Sequence, residues 1–582
     1  MSQLLPLVVV LPLLGAALLV ALGRVLPRVA ADAIAATVAV ATTVLAAVLL
    51  GHASPGAVEW VGGWEPVHGR SVGIVLSGDA PGTGLATLVS LLTVAVLVYS
   101  WRYFDEVPHG TAASFPALVL LFQAGMCGFV LTGDLFNAFV FFELMSVAAY
   151  ALTGHRVEEP RAVQGALTFG LVNSLGAYAT LMGIALLYAR TGELGMARIG
   201  AALDADGPPD ALVLAAFVLV ATGLLVKAAA VPFHFWLPDA HAVAPTPVCM
   251  LMSGVMVELG VYGVWRVHDR VFAGPGGLPA QDITRCLVWL GALTALLGAL
   301  MCWQQRHLKR LLAYSTIAHT GLFVVGIGLL RPESTAGVAL YVLGHAGAKA
   351  ALFACTGVLL DRYGSVDEHE LHGRAGELRP VAVLYTVAAL VLAGLPPFGT
   401  ALGKGTTEEA AGVAGTVLFL AVSAVTGAAM LRVAARVFWG VGPRPKRAGS
   451  ATTSGGDEEP ETRERLRRVP LPMLAVPALL LTGALAAGVV PALAEAVGRA
   501  FDAPAVLAPH WTAASVVTGL LSTVCAVGCA ALSLRRGAPA EPYAWTAPLR
   551  RLHSGHIGDY VAWLVLGTAL LGALALPSVL GG

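Results

Sequence analysis

An all-α polytopic membrane protein is the fold class this sequence predicts, and three observations carry the prediction. Of the 582 residues, 57% are hydrophobic and only 12% charged, with a mean hydropathy of +0.78. A chain so poor in charge cannot cover a water-soluble surface. Apolar runs long enough to cross a hydrocarbon core, about 20 residues at 1.5 Å rise each, recur from Leu4 to beyond Leu574, giving roughly 14 to 16 spans. Finally, Lys and Arg collect in every second loop: Arg24 and Arg28, Arg102, Arg156 and Arg161, Arg306 with Lys309 and Arg310, Arg362 and Arg374, the cluster Arg444–Arg468, then Arg535, Arg536, Arg550 and Arg551. The positive-inside rule places those loops in the cytoplasm and both termini on the outer side of the cell membrane. Arg266 and Arg270 run against the pattern.

Along the chain, the first apolar run has only Ser2 and Gln3 ahead of it after Met1, without the basic start or small-residue cleavage site of a secretory signal, and reads as a retained span. Residues 1–83 comprise N-terminal spans and an outer Gly/Pro-rich loop (52–83) whose short alternating stretches predict a hairpin. Residues 84–440 form the core. Residues 441–469, rich in Gly, Ser, Glu and Arg, predict a cytoplasmic linker that is disordered or loosely helical, and 470–582 a transmembrane extension. The seven cysteines make no CxxC pair and read as small buried residues, including Cys525 and Cys529, which lie one helical turn apart.

Charges inside the apolar runs carry the functional signal. "GDLFNAFVFFELMSVAAYAL" holds Glu143 near mid-bilayer, where a carboxylate costs roughly 2.5 kcal/mol or more unless relieved by a partner, water or a proton. Lys227 precedes Pro232 by five residues; the ring removes a backbone donor and frees a carbonyl near the level of the lysine, so charge and helix break together predict one polar pocket. Glu258, in "LMSGVMVELGVYGVW", is either a second carrier or a counter-ion to Lys227. His319 comes next, in "LAYSTIAHTG". His345 and Lys349, in "YVLGHAGAKAALF", are four residues apart and share a helical face. Lys404 lies after Pro396-Pro397 as Lys227 accompanies its own break. Broken hydrophobic segments at corresponding positions of two halves are the sequence sign of an inverted repeat. Glu143, Lys227, Glu258, His319, His345, Lys349 and Lys404 thus predict a mid-membrane proton relay, in which moving one charge alters its neighbour's affinity for protons. Lys309, placed in a cytoplasmic loop, is expected to tolerate alanine.

These residues, with "KAAAVPFHFWLPDAHAVAPTPVCMLMSGVM" and "RHLKRLLAYSTIAHTG", resemble the antiporter-like proton-translocating subunits shared by respiratory complex I, Mrp-type cation/proton antiporters and energy-converting membrane-bound hydrogenases. The resemblance covers roughly residues 84 to 440. It implies a core of 14 helices with two inverted five-helix repeats and discontinuous helices seven and twelve. Glu143 matches that family's fifth-helix glutamate, Lys227 its seventh-helix lysine, His319 a tenth-helix polar position, His345 and Lys349 the eleventh-helix pair, and Lys404 the twelfth-helix terminal charge. At the helix-eight carrier the family usually has lysine or histidine, where this chain has Glu258; the "LMSGVM" context leans towards the hydrogenase-type branch.

The function expected is translocation of protons, or exchange of Na+ for H+, as one membrane subunit of a larger complex that is complex I-like, hydrogenase-like or Mrp-like. The expected partners are other membrane subunits, the transported ions and the bilayer, with no nucleic acid. The sequence has no Gly-rich nucleotide loop, flavin signature or cluster-binding cysteines, so no cofactor or metal is expected and redox chemistry belongs to partner subunits. The alternative is a pump-shaped structural subunit that does not conduct, because its central carrier is Glu258. A small-solute transporter would need a substrate cavity that a line of buried charges does not suggest.

Overall fold

A computed structural model describes residues 2–53, 56–66, 73–101, 103, 112–443, 461–462, 465–536 and 556–575. Nearly everything in it is helix. The order is α1 Leu5–Leu22, α2 Arg28–Gly51, strands β1 Ala57–Trp60 and β2 Val75–Gly78, α3 Ala80–Tyr99, α4 Ser114–Leu131, α5 Leu135–Thr153, α6 Pro160–Thr191, α7 Met196–Asp206, α8 Ala211–Lys227 and α9 Trp236–Val243. Then come α10 Thr246–Phe272, α11 Ala280–Gln304, α12 Leu308–Gly328, α13 Pro332–Tyr363, α14 Arg379–Ala393, α15 Gly399–Trp439, α16 Leu471–Val489, α17 Pro491–Ala500, α18 Ala513–Arg536 and α19 Ile557–Ala575. Among the described residues fourteen are long and apolar enough to span a bilayer, and α8 and α14 are shorter apolar helices beside breaks.

The strands expected within residues 52–83 form an antiparallel hairpin, Ala57 opposite Gly78 and Trp60 opposite Val75. The hairpin leads into α3, whose first turn is capped by Asp79. The same carboxylate pairs with Arg266 and lies 3.4 Å from Arg270. Those two arginines, anomalous by loop charge, are thus held by an acid on their own side of the bundle.

Burial is graded from rim to centre. Every residue of α12 except Arg310 is buried, whereas α19 shows most of its surface. α11 can lie close along α12 because small residues face each other: a Cβ added at Gly298 would come within 2.5 Å of Ala318 N, and one at Gly321 within 2.3 Å of Ala295 N. Five cysteines are buried as expected, but Cys525 is half-buried and Cys529 exposed on α18, because that helix packs along one side only.

Two stretches match feature by feature. Helices α6 and α13 are both 32 residues long, both start with proline at the first turn and both end on a left-handed glycine, Gly192 (φ 69°) and Gly364 (φ 65°). In each stretch the preceding helix begins where the chain pairs with the segment after the long helix, Asp134 with Gly195 and His307 with Asp367. The accompanying bonds are Leu135 N to Leu194 O at 2.9 Å and Leu308 N to Val366 O at 2.8 Å. A broken helix comes next in each case, α8/α9 and α14/α15. These matches support a five-crossing repeat, α4–α10 and α11–α15, with the second arm of α15 starting at Gly412 (φ 70°, ψ −170°). An odd number of crossings inverts a second copy relative to the first.

Candidate functional site

The first break lies wholly within protein, as residues 228–238 are all buried. Its freed backbone groups find partners there: Trp236 Nε1 donates to Val226 O (2.9 Å), Ala230 N to Leu225 O (3.0 Å), and Val231 N to Thr294 Oγ1 (3.0 Å). Lys227, at the last position of α8, is fully buried. Its Nζ donates to Ser146 Oγ at 2.6 Å and sits 4.5 Å above the Phe142 ring. Glu143, one residue along α5 from Phe142, is half-buried, interacts electrostatically with Lys227, and has one oxygen buried without a hydrogen bond among the described residues.

Glu258 does not face Lys227. A π-type turn, Met252–Met256, precedes it within α10; one extra residue in a turn rotates the rest of the helix by about 100° relative to a regular one. The carboxyl points across to α13, with Oε1 3.0 Å from His345 Nδ1, and interacts electrostatically with Lys349. Neither oxygen of Glu258 nor either ring nitrogen of His345 completes a hydrogen bond among the described residues. Lys349 Nζ donates to Leu312 O at 2.7 Å, the carbonyl of a neighbouring helix. No ion pair or hydrogen bond joins Glu258 to Lys227 among the described residues: Glu258 meets His345 and Lys227 meets Ser146.

The His345 ring lies 5.2 Å from that of His319. His319 is held at both nitrogens, Nδ1 2.7 Å from Tyr341 Oη and Nε2 3.2 Å from Thr426 Oγ1. Thr426 donates its own hydroxyl proton to Val422 O (2.9 Å), so it accepts from Nε2–H, and the neutral ring receives the Tyr341 proton at Nδ1. Beyond His319 lies Lys404, 2% exposed, its Nζ 3.6 Å from Glu408 Oε1. The second break is also capped by protein: Thr400 Oγ1 donates to Val391 O (2.9 Å) and Ser522 Oγ to Ala393 O (2.6 Å).

The seven residues thus fall into three groups: Glu143 with Lys227; Glu258, His345, Lys349 and His319; and Lys404. Sequence reasoning missed several neighbours. Glu408 lies four residues after Lys404, the same spacing that pairs His345 with Lys349, and Ser146 lies three after Glu143, so both were legible. Tyr341 and Thr426 carried no pattern. Lys309 lies in α12 rather than in a loop: it is 2% exposed and its Nζ is paired with Glu461 Oε1. Residues 461–462 and 465–469 of the expected linker are irregular rather than helical, with Glu461 buried; residues 444–460 and 463–464 lie outside the described residues.

Residues 132–430, which hold all seven positions, match the family described as NADH:quinone oxidoreductase/Mrp antiporter, transmembrane. The chain belongs to that family. Among family relatives, it is 36% identical over 340 residues to an NADH-quinone oxidoreductase subunit (type N) of Desulforudis audaxviator, covering 58% of this chain and 66% of the relative. It is 26% identical over 403 residues to a Na(+)/H(+) antiporter subunit of Bacillus subtilis, covering 68% of this chain and 78% of the relative. The fold superimposes on a chain of the Mrp complex from Dietzia sp. DQ12-45-1b with a TM-score of 0.71 at 26% identity, covering 90% of this chain and 99% of the other. It also superimposes on a chain of the archaeal membrane-bound sulfane sulfur reductase with a TM-score of 0.75 at 22% identity, covering 90% of this chain and 100% of the other.

Proposed function

We propose that this chain is a proton-translocating membrane subunit of a multi-subunit assembly of the complex I or Mrp type, moving H+ along its three buried groups. The observation that carries this reading is the enclosure of Lys227, Glu258, His319, His345, Lys349 and Lys404, none more than 2% exposed, in helices at the centre of the bundle. Ionisable groups this deep are costly in a bilayer and are retained where charge or protons move. At the two ends an acid and a lysine act as pairs, Glu143 with Lys227 and Lys404 with Glu408. Between them Glu258 works with His345 and Lys349, so the central carrier is an acid beside two bases. A proton on Glu258 passes to the His345 ring, and the charge it leaves draws on Lys349. The relatives' names supply the candidate ions, H+ with Na+ or K+.

A second reading, a pump-shaped subunit that does not conduct, is favoured by one feature. Lys227 makes its hydrogen bond to Ser146 and Glu258 turns towards α13, so no hydrogen bond or ion pair joins the two among the described residues. Proton flux in proteoliposomes carrying the assembled native complex, with and without Na+, separates the readings. Translocation that is suppressed by Glu143→Gln, Lys227→Ala and Glu258→Lys supports the relay. A silent wild type in which Glu258→Lys restores flux supports the structural subunit.

A further inference from the structure

Beyond the relay, a second group of buried ionisable side chains gathers where the start of α12 meets the segment ahead of α16. Tyr103 is 3% exposed, and Asp361, near the end of α13, is fully buried. Tyr103 Oη lies 2.7 Å from Asp361 Oδ2 and 2.8 Å from Glu461 Oε2. Glu461 N donates to Asp361 Oδ1 (2.8 Å), Thr246 N to Glu461 Oε2 (2.8 Å) and Thr246 Oγ1 to Glu461 Oε1 (3.2 Å). Lys309 Nζ pairs with Glu461 Oε1 and donates to Ala244 O (3.1 Å).

Counting protons exposes an imbalance. The Tyr103 oxygen sits at hydrogen-bond distance from two carboxyl oxygens but owns one proton, so it donates to only one of them. The other contact is a bond only if the carboxyl group brings the proton and donates it to the phenol oxygen. Charge among the described residues points the same way: one lysine pairs with one of two buried carboxylates, and a second anion beside it is costly. Burial, Asp361 and Glu461 all push the Tyr103 phenol well above its usual range, so the phenol keeps its own proton.

We propose that Asp361, Tyr103 and Glu461 form a proton-holding site that loads the relay through Lys309 and His241. His241 is the connecting group. It is fully buried, stacks on Phe353 with ring centroids 4.8 Å apart, and has both ring nitrogens free of hydrogen bonds among the described residues. Lys349, a relay member, and Lys309 are its two electrostatic neighbours. Buried nitrogens without protein partners are places for bridging water. In the transfer, Lys309 gives one ammonium proton to the neutral His241 ring through water and takes the carboxyl proton in exchange. The ring passes its proton on, and the carboxylate left behind is reprotonated from the aqueous face. This inference rests on the proposed translocation.

The test uses the full chain in its native complex. Infrared difference spectra between wild type and Asp361→Asn, and between wild type and Glu461→Gln, are expected to show the loss of one protonated-carboxyl C=O band; in Tyr103→Phe the band shifts. Asp361→Asn keeps the group neutral and is the variant expected to assemble normally, with flux lost. Spectra without a protonated-carboxyl difference in either variant overturn the site. Full flux in Asp361→Asn alongside a silent Glu143→Gln overturns the loading role while leaving the relay intact. Full flux in Glu143→Gln would instead sink the relay, and the infrared bands would still decide whether this site holds a proton.

Discussion

Replacing Lys309 with methionine separates the structure from the loop reading of the sequence most sharply. Both Lys309 and Glu461 side chains are 2% exposed. At an effective dielectric constant of about 20, opposite charges about 3 Å apart attract by about 5.5 kcal/mol. Methionine keeps most of the buried methylenes, so little apolar burial, about 0.8 kcal/mol per CH2, is lost. It removes the ammonium's own desolvation cost, but Glu461 loses the cation that pairs with it among the described residues, and breaking a buried pair from one side costs about 3–5 kcal/mol. Removing both charges, as Lys309→Met with Glu461→Gln, recovers part of that loss, with a coupling of about 2 kcal/mol. Thermal unfolding of the purified protein in detergent, followed by tryptophan fluorescence, reads both effects. Equal midpoints for wild type and Lys309→Met, or a double variant whose loss equals the sum of its parts, would refute the buried pair.

The geometry sets three further outcomes. Gly567 of α19 lies against the first break, where an added Cβ would come within 2.5 Å of the Phe233 ring and 2.6 Å of Pro232; Gly567→Leu is expected to displace α19 and reduce proton flux without loss of expression, and unchanged flux would mean that α19 does not brace the break. Asp79→Asn keeps an acceptor at the α3 cap but leaves Arg266, 4% exposed, without its carboxylate, so the unfolding midpoint should fall by the equivalent of about 3 kcal/mol, and no fall would dismiss the pair. His369 is held down to about 4, chiefly by burial, against about 6.5 unfolded. The unfolded chain binds that proton first, so its contribution to stability is complete above about pH 6.5 and is lost as pH falls towards 4. His369→Gln should flatten the midpoint-against-pH curve in that window, and an unchanged curve would show that the side chain titrates normally.

How much of this was legible depends on whether a feature is written in local pattern or in three dimensions. The spans, the two breaks and the buried charges are local. Apolar run length, prolines at 232, 396 and 397, and ionisable residues inside runs mark them directly, because the bilayer punishes any unpaired polar group. The partner of each charge is not local. Glu258 follows a π-type turn at Met252–Met256 and meets His345, which lies on another helix 87 residues later. Lys309 follows Arg306 in a basic stretch that reads as loop, yet it begins α12 and is sealed by Glu461, more than 150 residues later. Loop composition indicates which side of the membrane is basic, but not which member of a basic cluster has been drawn inward to neutralise a distant acid.

The charge at Glu258 changes its meaning once its neighbours are known. A lysine there would place a third base beside His345 and Lys349, and repulsion among them would keep at least one deprotonated. A carboxylate instead gives one acid between two bases, a group in which internal proton transfer exchanges an ion pair for a neutral pair without changing net charge. Such a group responds to a charge moved nearby by shifting its internal proton, and that response needs no ion delivered from Lys227. Glu258→Gln keeps the size and removes the exchangeable proton, so it should abolish flux while leaving assembly intact. Glu258→Asp keeps the proton but withdraws it from His345 by one methylene, and should slow flux without abolishing it. If Glu258→Gln conducts as well as wild type, the acid at the centre is structural, and the relay must run through His345, Lys349 and His319 without it.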